Sequence, residues 1–274
     1  MKKITLLMAT LLCSAWCATA QTTEKGHEYV DLGLPSGLKW ATCNVGATTP
    51  DEYGNYYAWG EIAPKETYSW DTYNFTADSG TTFTKYNATD GKTTLDPDDD
   101  VAATDWGGNW RMPTDDEWKE LIDSCTQTWT TLNGINGYEI KSKINGNSIF
   151  LPATGFRSNK ALNYDGSSGV YWSSTLDTGS PENAGGIGFV PNALERLGSH
   201  RYYGRAVRPV YAVAVTALVV VEMPVVYAER GRIYCAGDFL IYDLLGRDVT
   251  RLNGSLQGIY VVKTADSAQK VVVK

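Results

Sequence analysis

Asn109-Trp110-Arg111-Met112-Pro113-Thr114, continued by Asp115-Asp116-Glu117-Trp118, is the stretch that decides the fold. Thr114 and Glu117 have the spacing of a capping box. The hydroxyl takes a free backbone N–H of the first turn, and the glutamate reaches back to the cap residue. Asp115, Asp116 and Glu117 put negative charge at the positive end of the helix dipole. Trp118, Leu121, Ile122 and Cys125 then fall at i, i+3, i+4 and i+7, one apolar stripe facing a core. Pro113 holds the residue before it extended, so the helix starts no earlier. Every residue of the run has a folding role, which predicts a well-capped structural helix.

Outward from this helix the chain reads as short strands. Residues 29–32 and 39–44 flank the turn cluster Gly33-Leu34-Pro35-Ser36-Gly37. Residues 138–143 and 148–151 flank Asn145-Gly146, a tight-hairpin signal. Residues 169–174, 186–189 and 204–210 are later strands. Residues 67–105 are polar and rich in Thr, Asp, Asn and Tyr, and read as a long loop inserted on the fold. One main helix among many short strands and long loops is an α+β pattern.

Gly107-Gly108, the Asn109–Trp118 run, Tyr171-Trp172-Ser173-Ser174 and Val207-Arg208-Pro209-Val210 together resemble the Fibrobacter succinogenes major paralogous domain. That family is abundant in surface proteins of Bacteroidetes. The resemblance covers residues 26–211. It implies a C-type-lectin-like, formylglycine-generating-enzyme-like fold. It implies much less about a ligand, because that fold hosts both enzymes and binders.

The two ends differ from this middle. Residues 1–20 read as a secretory signal: Lys2 and Lys3, an apolar run, then Ala18-Thr19-Ala20 as a small-x-small cleavage site. Leu12 and Trp16 precede Cys13 and Cys17, which makes both cysteines poor lipoprotein sites. The full chain carries a formal charge of −7. Without residues 1–20 it has 22 Lys and Arg against 31 Asp and Glu, a net −9. Such acidity repels phosphate backbones, so nucleic acid is excluded as a partner class. The apolar stretch 213–226 is interrupted by Glu222 and Pro224, which argues for strands and against a membrane span.

Residues 213–274 turn valine-rich and alternating. Phe239-Leu240-Ile241-Tyr242-Asp243, residues 256–263 and Lys270-Val271-Val272-Val273-Lys274 read as strands of a small all-β sandwich. The Tyr-Asp…Gly-Arg turn, Leu256-Gln257-Gly258-Ile259-Tyr260 and the last strand resemble a type A sorting tail of the type IX secretion system. The resemblance implies export through that secretion machinery, to the outer-membrane surface or the medium, or otherwise retention in the periplasm. An ordinary β-spacer is the other reading.

Candidate chemistry is sparse. The formylglycine-generating relatives use a cysteine pair late in the domain and the sulfoxide-forming relatives a histidine-rich iron site, and this chain has neither. Its histidines are His27 and His200 alone. The expectation is a protein that is not an enzyme. Cys43 and Cys125 either pair as a disulfide, as an exported protein permits, or stay as two thiols packed as small apolar groups. Asp96, Asp98, Asp99 and Asp100 could offer oxygens to calcium, but no EF-hand spacing is present, and a solvated acidic loop is preferred to a cofactor site. Residues 163–205 concentrate Tyr, Asn, Gly and Ser, the composition of adaptable binding surfaces. Within them Tyr164, Asn183, His200, Arg201 and Tyr202 are the expected ligand contacts, while Trp172 is expected in the core. The leading expectation is an exported cell-surface protein binding a glycan or another surface protein. Its rivals are an accessory adhesin subunit without a small ligand and a diverged enzyme of the formylglycine-generating type.

Overall fold

The structure is a computed structural model and describes residues 22–212, 226–235, 237–264 and 267–274. The expected signal, residues 1–20, and nearly all of the stretch 213–226 lie outside the described residues. The chain divides into two compact units, Met1–Ala214 and Val215–Lys274.

The first unit runs β1 (Thr22–Glu24), β2 (His27–Asp31), β3 (Lys39–Ala41), α1 (Val101–Trp106), β4 (Trp110–Arg111), α2 (Asp115–Ser124), β5 (Cys125–Leu132), β6 (Ile135–Ser142), β7 (Ser148–Pro152), β8 (Phe156–Ser158), β9 (Ala161–Asn163), β10 (Gly169–Leu176), β11 (Asn183–Val190), β12 (Ala193–Arg196), β13 (Ser199–His200) and β14 (Val210–Tyr211). Strands dominate and helices are few, an α+β to mostly-β architecture. One antiparallel sheet has the order β1-β2-β3-β14-β4, so the last strand of the unit is inserted between two early ones. β5-β6-β7 form a meander, β10-β11-β12 a third sheet with β13 also on β11, and β8-β9 a separate hairpin.

The capping box is formed as the sequence predicts. Thr114 Oγ1 accepts from the Glu117 N–H at 3.3 Å, and Glu117 Oε2 accepts from the Thr114 N–H at 2.8 Å. Arg111 adds a two-pronged grip on the Glu117 carboxylate at 2.7 and 2.5 Å. α2 ends at Ser124, and Cys125 is both its C-cap and the first residue of β5.

β10 explains how one unit holds two large aromatic clusters. Successive strand residues point to opposite faces. Tyr171 therefore joins Trp40, Trp118, Leu121, Ile187 and Phe189 on one side. Trp172 joins Tyr57, Trp59, Tyr86, Trp110 and Val101 on the other. Trp172 is thus a core residue, as expected. The indole N–H groups tie the elements together: Trp118 donates to Trp172 O at 3.2 Å, Trp172 to Tyr57 O at 2.8 Å and Trp59 to Ser173 O at 2.8 Å.

Two local readings need correction. Asn145-Gly146 lies inside a five-residue connection between β6 and β7, not in a two-residue turn. The tight hairpin is at Asn133-Gly134, where φ is +50° and +87° and Leu132 pairs directly with Ile135. Both central residues at positive φ are what a type I′ turn demands, and Asn-Gly supplies them. Residues 204–210 are not one strand. Gly204 bridges to Arg157, Arg205 to Tyr57 and Ala206 to Tyr171, so each residue finds a different partner before β14 begins.

In the second unit β15 (Tyr227–Glu229) and β16 (Arg232–Tyr234) form a hairpin, and β17 (Leu240–Tyr242), β18 (Gly258–Lys263) and β19 (Ala268–Val273) form an antiparallel sheet. Its core is aliphatic: Ile233, Ile241, Leu256, Val262, Val271 and Val273.

Candidate ligand-binding face

The inserted segment 67–105 contains only two 3-10 turns, Trp70–Thr72 and Pro97–Asp99, and then α1. It is nevertheless packed, because its tyrosines carry polar tips to backbone carbonyls. Tyr68 donates to Tyr56 O at 2.6 Å, and Tyr73 to Trp59 O at 2.9 Å. Tyr86 donates to the Asp99 carboxylate and accepts the Asp96 N–H at 2.8 Å. α1, which the reading of this segment as loop overlooked, starts on Asp100.

The four acidic residues do not converge on a common point. Lys85 bridges Asp96, at 2.9 Å, and Asp99. Lys92 also pairs with Asp96 at 2.5 Å, and hydrogen bonds to the two lysines hold the Asp96 carboxyl below the usual range. Asp98 is exposed. Asp100 is buried and caps α1, accepting from Ala102 and Ala103 at 2.9 and 3.3 Å and from the Met112 N–H at 2.7 Å. Burial pushes its carboxyl up to about 6 despite those bonds. Among the described residues no group of three or more His, Cys, Asp or Glu is placed to hold a metal ion.

The structure leaves Cys43 and Cys125 as free thiols, which corrects the disulfide alternative. Cys125 is fixed in the core at the α2–β5 junction, and burial raises its thiol to about 11. Cys43 is half-buried just past β3, against the Thr42 hydroxyl at 3.5 Å.

Four of the five expected contacts lie on or beside one face. Tyr164 is the most exposed, at 67%, and sits at φ +60° after β9. Its ring stacks on Phe156, with centroids 6.0 Å apart. Phe156 meets Tyr203 at 5.1 Å, Tyr203 meets Tyr202 at 4.5 Å, and Tyr202 meets Trp70 at 4.8 Å. His200 stacks on Tyr202 at 5.6 Å, and Asn183 is its ladder partner between β11 and β13. The result is a ribbon of half-buried rings ending in one exposed tyrosine. Trp70, Phe156 and Tyr203 were not anticipated. Two of them lie outside the residues 163–205, and Phe156-Arg157-Ser158-Asn159 reads locally as nothing more than a short turn.

Arg201 is a correction. It is fully buried, not exposed. Its guanidinium donates to Lys85 O at 3.2 Å and Tyr86 O at 2.6 Å and lies 4.2 Å from the Phe83 ring centroid. It pins the inserted segment beneath the ribbon and cannot reach a ligand. Its place beside the Gly198-Ser199 turn suggested exposure, but an Arg with carbonyls and ring faces around it is readily buried.

A concavity of about 470 Å³ opens beside the start of α2 between Asp115, Asp177, Gly185, Arg196 and Gly198, and no ribbon residue lines it. Its central carboxylate is already engaged: Asp115 accepts from Ser173 Oγ at 2.5 Å and from Arg196 at 3.1 Å. Comparison with known proteins finds no match, whether among family models, curated proteins or solved structures. No helix among the described residues is long and apolar enough to cross a membrane.

Proposed function

We propose that this is an exported, non-enzymatic binding protein of the cell surface whose first unit is a C-type-lectin-like domain that recognises a glycan. The observation that carries the reading is the ring ribbon Trp70–Tyr202–Tyr203–Phe156–Tyr164. Half-buried rings held at fixed spacing offer apolar area at little entropic cost. Sugar rings present flat C–H faces that match it. The rigid strands around the ribbon are the usual support for a binding site built on loops. The second unit serves export or anchoring. Deleting residues 213–274 in a host with the type IX system should leave the protein in the periplasm, and surface labelling at the full-length level would leave only a spacer role.

Tyr164 gives the cleanest test of the binding face. Tyr202 is wedged among Trp70, His200 and Tyr203, so truncating it removes packing together with any contact. Tyr164 touches little besides Phe156. On a glycan array the chain should bind at least one oligosaccharide class, and Tyr164→Ala should weaken that binding about tenfold, or ~1.4 kcal/mol, without moving the melting temperature. Unchanged affinity in the variant would remove the ribbon from the site.

A further inference from the structure

The glycan class can be narrowed from one side chain, an inference that rests on the reading above. Arg205 is 3% exposed. Its guanidinium lies 4.2 Å from the centroid of the Trp172 ring. Nε and Nη1 are buried and have no hydrogen-bond partner among the described residues. Arg208, three residues on, is equally buried but fully used: it donates to Asn44 Oδ1, Ala41 O, Thr42 O and Phe150 O at 2.7–3.0 Å. Arg201 has its two carbonyls, with its Nε alone unpartnered, against two unpartnered nitrogens in Arg205. None of the ion pairs among the described residues includes Arg205.

An arginine fork presents five donors matched to a carboxylate. Burying such a donor without an acceptor is unfavourable, the more so for a charged group. If the position served only to cover Trp172, an apolar side chain of similar size would do so without that penalty. The location supplies a reason for retaining the charge. Tyr203, two residues before, is a member of the ribbon. Gly204 between them pairs with Arg157, and a Cβ there would stand 2.7 Å from the Tyr68 ring, so the backbone is held close against that ring. Tyr203 is only half-buried. It packs against the same cluster as Trp172, whose ring carries the unused guanidinium. Lys160, exposed at the tip of the β8-β9 hairpin, adds a second cation outside the ion pairs; Asp165, exposed beside Tyr164, is the opposing charge on this face.

We propose that the ribbon takes a carboxylate-bearing saccharide, a hexuronic acid unit, whose ring stacks on the aromatic face and whose carboxylate reaches Arg205 when Tyr203 turns aside. A polyanion would be repelled by this acidic chain at long range, so the preference has to come from a local, desolvated contact. That is what a buried fork provides.

The test uses the full chain and two probes with the same rings: a galacturonate pentamer and its fully methyl-esterified form. Calorimetry should show the acid bound at least tenfold tighter than the ester. Arg205→Gln should abolish that difference and leave ester binding in place. Because Arg205→Gln could fail to fold, the wild-type chain carries an independent readout, the side-chain Nε–Hε resonance of Arg205 assigned against Arg205→Lys. It should move with the acid and stay with the ester. Equal binding of acid and ester, or an unmoved resonance, overturns the proposal while leaving the glycan reading standing. Binding of neither oligomer overturns the hexuronate assignment, and the glycan array then decides the reading on which it rests. A resonance that moves equally with acetate or chloride at the oligomer's concentration identifies a small-anion pocket only. An equal gain with oligoglutamate points to an acidic peptide, and either result overturns the saccharide assignment.

Discussion

The two units bury a core under short strands with different materials. The second unit uses Ile, Leu and Val from β16 to β19 and closes its backbone with ladders of regular register. The first uses tryptophan, tyrosine and buried arginine, and much of its backbone is not in ladders at all. Side chains satisfy it instead: Arg208 takes three carbonyls, Arg201 two, and the hydroxyls of Tyr56, Tyr68 and Tyr73 one each. Buried backbone groups must find partners. An aliphatic core offers none, so in the second unit the irregular connection between β17 and β18 relies on short polar side chains outside that core, Asn253 and Thr250 bonding the backbone of Ile233 and Ile241. A core with polar tips can hold 30 or so residues of irregular chain, and irregular chain is where a binding face can be shaped.

The largest effect should come from breaking the main lock. Arg208→Met keeps the bulk but leaves Asn44 Oδ1 and three carbonyls without their donor. The loss should be about 3–5 kcal/mol, since each buried acceptor left without its donor costs roughly 1–3 kcal/mol and the effects are not fully additive. Tryptophan emission reads it directly, because no tryptophan lies beyond residue 172. A loss under about 1 kcal/mol would mean that the first unit rests on apolar burial as the second does, and the contrast between them would fail.

Asp100 sharpens the comparison, since no acid is buried among the described residues of the second unit. Its carboxyl is raised to about 6 by burial. Between the ordinary carboxylate value and 6 the folded chain therefore binds more protons than the unfolded chain. Stability must then fall as pH rises from about 4 to about 6 and level off above that. The size is roughly 3 kcal/mol, at about 1.4 kcal/mol per unit. Asp100→Asn lacks the titration, so the difference in urea midpoint between wild type and variant should change across this window. A constant difference from pH 4 to 7 would show that Asp100 does not titrate there.

Legibility in the sequence followed the same division. Where local chemistry decides, the sequence was readable: the Thr114/Glu117 box, the stripe through Trp118 and Leu121, and the strands around Tyr138 and Trp172. Where a long-range partner decides, it was not. Arg201 is buried because Lys85 and Tyr86, more than a hundred residues earlier, offer carbonyls to it. Asp100 looks like one of four loop acids until Met112 and the start of α1 claim it. The ribbon draws on Trp70, Phe156 and Tyr203 from three segments, and no spacing links them. Asn133-Gly134 is different: its signal was present, but the other Asn-Gly pair took the hairpin reading.

Thr114 gives the smallest effect and tests the most local of these locks. Its hydroxyl accepts one N–H at 3.3 Å, and the rest of the box is held independently, with Glu117 gripped by Arg111 as well as by the Thr114 N–H. Thr114→Ala should therefore cost only about 1 kcal/mol, the usual value for losing an N-cap hydroxyl. Thr114→Ser keeps the acceptor and should cost a few tenths at most. The Glu117 carboxylate should stay in place in both variants, because Arg111 does not depend on the cap. If Thr114→Ala costs 3 kcal/mol or more, in the range of Arg208→Met, the start of α2 is coupled to the buried locks behind it. The distinction between local and long-range support would then not hold at this helix.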